Sequence, residues 1–341
     1  MGNTLKVDEI KSELVRYVKT RPDAFQGALL SKDVFLNKYT RLITKVNGEY
    51  PSVQALMTHV VQAFYSKKFT PFGEIIFKKK DLRTFRQKVD FELDPAEILG
   101  TLYADFYDEG KNPKDKTISK KAIDMLLEII IDDVNILSVN GKYDATKVGA
   151  DTPVFGASMD GLNEVIAQTR LDTNNPAYMI PGDAITSSNI LQQITAYEKN
   201  LPALAKPKIK YIFTSDEDVE EYQEAYDDTF GARPNYKDGD AVKTRFGKRE
   251  LVGIPGLAKG TVFSTPQNNF LRLVDIVENP ATITDIQVFN RILKVLGEFS
   301  LAYNFGINQI LYLHTPDGTK NLGLNDTAQN KLFYPGESKI A

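Results

Sequence analysis

Cysteine is absent from all 341 residues, so the chain forms no disulfide and offers neither a thiol nucleophile nor a cysteine-ligated metal site. Histidine occurs only as His59 and His314, too few for a three-histidine centre. Long apolar runs are missing as well: Ile129-Ile130-Ile131, in the most hydrophobic helix pattern, stops at Asp132-Asp133, far short of a membrane span. The first 18 residues carry Lys6, Asp8, Glu9, Lys11 and Glu13 and do not read as a secretion signal. An excess of one charge sign is also lacking. With 42 Lys and Arg against 45 Asp and Glu, the formal charge of −3 gives no general drive toward nucleic acid. These absences lead us to expect a soluble chain of the reducing cytoplasm, with no membrane contact.

Motifs for catalysis are absent too. The glycines from Gly141 to Gly161 fit neither the phosphate loop nor the dinucleotide fingerprint, and Gly239, Gly247 and Lys248 miss the spacing, with Arg249 where a hydroxyl should stand. No nucleophile elbow surrounds Ser66, Ser158 or Ser264. The carboxylates of Asp216-Glu217-Asp218, Glu220, Glu221 and Asp227-Asp228 lack calcium-loop spacing and suit a solvated helix start. Asp132-Asp133 has no placed partner for acid–base work. We therefore expect no catalytic residue, no metal and no cofactor.

What is present is an ordinary globular composition, 42% hydrophobic and 26% charged, over a length that allows two domains or one large one. Val7, Ile10, Leu14 and Val18 recur at helical spacing, and Ser52 to Ser66 places Val53, Leu56, Met57, Val60, Val61 and Phe64 on one helical stripe, with His59 beside it. From Phe72 to Leu93 the period becomes two: Val89, Phe91 and Leu93 alternate with charged residues, and Ile75-Ile76-Phe77 runs into Lys78-Lys79-Lys80-Asp81. That pattern predicts a two-stranded excursion with a basic tip. An isolated hairpin is marginal in water, so a partner surface is implied.

A polar linker, Glu109 to Lys116, leads to a long helix over 117–138, with Ile123, Leu127, Ile130, Val134 and Leu137 inward and Asn140-Gly141 as its stop. About 20 residues make a rod of roughly 30 Å. Helices are predicted at Met159–Thr169, Ser187–Asn200 and Asp216–Phe230, and a strand at Lys208–Thr214. Beyond Gly247 the pattern is nearly all strand, through Gln309–Leu313, and the tail from Asp317 reads as polar and extended. The fold class is α+β. The basic residues Lys78, Lys79, Lys80, Arg83 and Arg86 are the candidate interface, a charge-paired contact with a neighbouring subunit being favoured over nucleic acid.

A charged hairpin followed by a long helix that ends Asp132-Asp133-Val134-Asn135-Ile136-Leu137-Ser138-Val139-Asn140-Gly141 resembles the major capsid proteins of tailed double-stranded DNA bacteriophages. The run Leu251-Val252-Gly253-Ile254-Pro255-Gly256-Leu257-Ala258-Lys259-Gly260-Thr261-Val262-Phe263 is similar to their turn-and-strand segment, and the strands at Phe299–Phe305 and Gln309–His314 to their peripheral sheet. The resemblance covers about residues 70 to 315 and implies the Hong Kong 97 capsid fold. It divides the chain into an N-terminal helical arm (1–70), an extended hairpin or E-loop (71–96) and a peripheral domain (97–180 and 246–315) with the spine helix. An axial domain (181–245) and a C-terminal tail (316–341) complete it.

It implies self-assembly as pentamers and hexamers into an icosahedral capsid shell enclosing phage double-stranded DNA without sequence-specific binding, assembled in the host cytoplasm and located in the virion. Portal, separate scaffold and decoration proteins are the expected partners. No scaffolding segment of about 100 residues precedes the hairpin, and no lysine–asparagine crosslink pair is identifiable from sequence. An encapsulin-like cargo cage, an α/β enzyme of unknown activity and a tail or connector component are the competing readings.

Overall fold

Ile123, Leu126, Ile130, Val134 and Leu137 are buried along one stripe of a single long helix, and that stripe organises half of the molecule. The computed structural model describes residues 7–93, 118–231 and 241–340, apart from the single positions 22, 58, 74, 279, 291, 318 and 319. The linker expected at Glu109–Lys116 lies outside the described residues. The chain begins with helices α1 (Val7–Thr20) and α2 (Ala24–Leu30), and the long helix is α3 (Ile118–Asn140). Leu126 takes the fully buried position expected for Leu127, which is only half-buried at the edge of the stripe.

The chain leaves α3 through Asn140-Gly141 because only glycine fits there. A Cβ on Gly141 would stand 2.5 Å from the Met159 carbonyl oxygen, and one on Gly161 would stand 2.6 Å from the Val139 carbonyl carbon. The two backbones cross in contact, with Gly161 N–H donating to Gly141 O at 2.7 Å.

The first sheet has the order β1 (Arg41–Ile43), β9 (Phe270–Val274), β11 (Ile292–Phe305), β10 (Thr282–Phe289), with β4 (Phe85–Leu93) also on β11. The first part of β11 lies between β10 and β4, and its last residues, from Leu301, pair with β9. α3 and α2 cover this sheet through Phe25, Leu29, Ile130, Val134, Val295 and Phe299. Leu14 of α1 closes the start of α3 against Ile286 and Leu293.

The second sheet runs β5 (Tyr178–Pro181), β12 (Tyr312–Thr315), β8 (Phe263–Ser264), β6 (Tyr211–Ser215), β7 (Glu250–Ile254). Its strands are buried on both faces, so they lack a clean alternation. Ile212 and Leu251 face α5 (Ile190–Asn200) and α6 (Asp216–Phe230), while Phe213 and Val252 join the core of the first sheet. α4 (Leu162–Leu171) packs on α3. Of the strands in the segment 246–315 that the resemblance assigns to one peripheral domain, β9, β10 and β11 lie in the first sheet, whereas β7, β8 and β12 pair in the second. Pairing here is set by burial on both faces, which sequence order does not reveal.

Three further expectations are corrected. Residues 52–66 form no helix: β2 (Glu49–Met57) is a strand, followed by irregular chain over 59–73. Nine residues of β2 pair with β3 (Ile75–Arg83), and that ladder overrides the local helical spacing. The segment from Phe72 to Leu93 is not a self-paired hairpin either. Only Thr84 separates β3 from β4, too little to reverse a chain, so β3 pairs back with β2 while β4 enters the first sheet. The tail is also ordered. Asp326 accepts from Ala328 N and Gln329 N, capping α7 (Thr327–Phe333), and Leu324 and Leu332 are buried beneath it.

His314 sits on β12 with both ring nitrogens buried and without a hydrogen-bond partner among the described residues. Burial, reinforced by Arg170 and opposed by Asp183, pushes it down to about 4 from 6.5. The folded state therefore refuses a proton that the unfolded chain accepts. Its contribution is complete above pH 6.5 and is lost as pH falls toward about 4, roughly 3 kcal/mol in all. Urea unfolding of His314→Leu against the parent between pH 7 and pH 4 should show a flatter loss of stability in the variant. Equal slopes would contradict this assignment.

Candidate subunit interface

β2 and β3 form a two-stranded hairpin that no other strand joins among the described residues. Its described end, residues 59–73, is exposed throughout. The sequence pattern placed Val60, Val61 and Phe64 on a buried helix stripe, but the structure puts them in water. Val61 is 88% exposed, Phe64 93% and Phe69 92%, with Tyr65, Phe72, Ile75 and Phe77 exposed around them. Scattered exposed leucines are normal; eight large apolar side chains along one loop and the start of the strand that follows it are not. Burying one such aromatic contributes about 1.5–3 kcal/mol. This apolar tip is what reading for charge overlooked.

The basic residues lie along β3 and β4, below the tip and not on it. Lys80 is held inside the chain: its Nζ donates to Asn304 Oδ1 at 3.0 Å, Phe305 O at 2.8 Å and Asn308 Oδ1 at 2.7 Å. Burial lowers its ammonium to about 8, with Asp172 pulling the other way. Arg83 stacks over the Tyr143 ring at 4.7 Å and the Phe85 ring at 5.3 Å. Exposed Lys79 pairs with Asp81 at 2.9 Å, and exposed Arg86 pairs with Glu298, its Nε donating at 3.1 Å. Lys78 is half-buried at the rim of a small cleft with Asn308 and Gln309. The five cations thus line two consecutive strands but do not converge on one point.

Between β3, α4 and β11 lies a cleft of about 300 Å³, lined by Lys80, Asp81, Arg83, Asp160, Asp172 and Tyr303 among others. Its charges are mixed, and Lys80 anchors the hairpin base across it. Lys80→Ala should lower stability by about 2 kcal/mol through the lost charged hydrogen bonds and the acceptors left behind. Urea unfolding measures the loss, and amide exchange over 75–83 should quicken; unchanged values would show that the anchor is not needed.

The two segments that carried the sequence resemblance meet in space. Asn163 Nδ2 donates to Asn140 Oδ1 at 2.9 Å and to Gly256 O at 3.1 Å, and Ala258 N–H donates to Asn163 Oδ1 at 3.0 Å. The exit of the long helix and the turn after β7 are thereby bolted together. Among the described residues no group of three or more metal-ligating side chains converges, and no helix is long and apolar enough to cross a membrane.

The chain resembles solved shells in structure. It matches a chain of the satellite phage P4 procapsid that includes the size determination (Sid) protein, at a TM-score of 0.53 and 8% identity, over 89% of this chain and 99% of that one. The capsid of an empty GTA particle matches at 0.52 and 6% identity, over 83% of this chain and 89% of that one. The chain has the Hong Kong 97-type capsid fold. An encapsulin complex from Synechococcus elongatus also aligns, at a TM-score of 0.47 and 9% identity, covering 83% of this chain and 87% of that one. No protein-family model matches the sequence. No curated protein matches it either.

The long helix α3 and the two-stranded β2–β3 hairpin, which starts one strand earlier than the 72–93 pattern predicts, are the two extended elements of this fold.

Proposed function

We propose that the chain is the major capsid protein of a tailed phage, a structural protein that assembles as pentamers and hexamers into an icosahedral shell around double-stranded DNA. The observation that carries this is the hairpin whose apolar tip has no cover among the described residues, on a fold otherwise found in shells. The tip of one copy lies on a neighbour, and the exposed cations Lys79, Arg83 and Arg86, with Lys78 at the cleft rim, set its register there. Exposed ion pairs contribute only about 0–1 kcal/mol each, so the apolar tip supplies adhesion and the cations supply orientation. Lys80 is occupied within the chain and acts by fixing the hairpin's direction.

On this reading the first sheet with α3 is the peripheral domain, and the second sheet with α5 and α6 is the axial domain near the ring centre. Portal, a separate scaffold and decoration proteins are the further partners, and assembly takes place in the host cytoplasm. The role is structural, without catalysis. Electron microscopy of the purified, expressed chain tests it: closed shells with fivefold and sixfold rings are expected. A small soluble oligomer would refute it, and shells filled with a protein cargo in place of DNA would assign the chain to the cage class.

A further inference from the structure

Lys199, Lys206, Lys210, Lys248 and Arg249 line a cavity of about 680 Å³ together with Phe246. They come from the end of α5, the approach to β6 and the turn that leads into β7. Among the described residues the only acid on the wall is Glu198, which is spent on Arg249 with both side chains buried. The volume is that of an ordinary small-molecule site, about 300–1,000 Å³.

Part of this positive charge is satisfied internally. Lys206 and Lys339 both donate to the carbonyl oxygen of Lys199, at 2.8 and 3.0 Å, and cations suit the carbonyl end of a helix. Arg249 is 6% exposed; its Nη1 serves Glu198 and its Nη2 donates to Lys206 O at 2.7 Å.

The rest is not satisfied. Lys210 and Lys248 are exposed and make no ion pair among the described residues. Arg249 Nε is buried without a hydrogen-bond partner among the described residues, a donor that costs free energy until something accepts from it. Like charges crowd here: Lys206 is held below the ordinary lysine value by burial and then by Lys339 and Arg249, with Glu337 and Glu198 pulling the other way.

Helix α6 does not supply the missing counter-charge. Its last residue, Phe230, packs under Arg245 at 5.0 Å, which brings its final turn beside the cavity. Its Asp227 and Asp228 nonetheless pair with none of the cavity's cations among the described residues.

The other part of the wall is apolar: Pro207, Ile209 and the 44% exposed ring of Phe246. A simple anion has no use for an aromatic ring, and an apolar ligand has no use for free ammonium groups. A nucleotide uses both, its phosphates taking the cations and its base stacking on the ring.

We propose that this cavity binds a nucleotide, with Lys206, Lys210 and Lys248 on its phosphates and Phe246 against its base. A free nucleotide and one unit of a single strand offer the same chemistry. The site belongs to the single chain and does not depend on the shell reading.

Isothermal titration of the purified full chain with adenosine triphosphate, and separately with a short oligothymidylate, tests it. Saturable binding at one site per chain is expected, and the tighter of the two probes identifies the source. Lys210→Ala with Lys248→Ala should weaken binding about tenfold or more, and so should Phe246→Ala, which should leave binding of pyrophosphate unchanged. Lys19→Ala with Lys88→Ala, at exposed positions on the first-sheet side, should change nothing. Arg249 is kept so that buried Glu198 retains its partner. Lys210→Arg with Lys248→Arg should retain binding, which separates lost charge from lost fold; loss in that variant would overturn recognition by charge. No saturable binding of either probe would overturn the proposal, as would binding indifferent to the Lys210, Lys248 pair. Binding that treats pyrophosphate and both probes alike and ignores Phe246→Ala would overturn it in favour of a plain anion site.

Discussion

Replacing Phe64, Tyr65 and Phe69 together by serine should leave the chain folded and abolish its assembly. Phe64 and Phe69 are more than nine-tenths exposed and Tyr65 is 68% exposed, so the folded monomer loses little by their removal. In a shell each aromatic buried on a neighbour contributes about 1.5–3 kcal/mol, and three of them make up most of what a modest contact can hold. Sedimentation should show the shell peak replaced by small species, with an unfolding midpoint within about 0.5 kcal/mol of the parent. Full-size shells from this variant would mean that the tip is not an adhesive surface.

The second large effect is expected at Val134, 1% exposed on the inner stripe of α3. Val134→Asp places an unpaired carboxylate in the common core of α3 and the first sheet, at a cost of several kcal/mol, enough to unfold a marginally stable domain. The same change at half-buried Leu127 should cost clearly less, because its carboxylate can turn toward water. Circular dichroism of the two purified variants compares them; equal losses would contradict the stripe as described.

What sequence revealed here follows the range of the forces involved. α3 and α6 were legible because their stripes are local, and the observed span of α6, Asp216–Phe230, is the one its pattern predicts. The cap of α7 at Asp326 was equally local and was passed over in a tail that looked merely polar. β10 also alternates, with Ile286 and Val288 against Asp285 and Gln287, and went unread beside the stronger signal of β11. The hairpin was misplaced for a physical reason. Residues 52–57 suit a helix stripe and a strand equally, and the ladder with β3 decides between them. The candidate interface was legible only as charge. That Lys80 is spent inside the chain depends on Asn304 and Asn308, more than 220 residues away, which no local pattern places beside it.

The central claim is that the tip of the β2–β3 hairpin is covered by a neighbouring copy. Amide hydrogen exchange over residues 59–73, compared between assembled shells and the dissociated chain, tests this most directly. Exchange at the tip should be fast in the dissociated chain and slowed by at least tenfold in the shell, while α3 is protected in both. Equally fast exchange at the tip in both states would contradict the account.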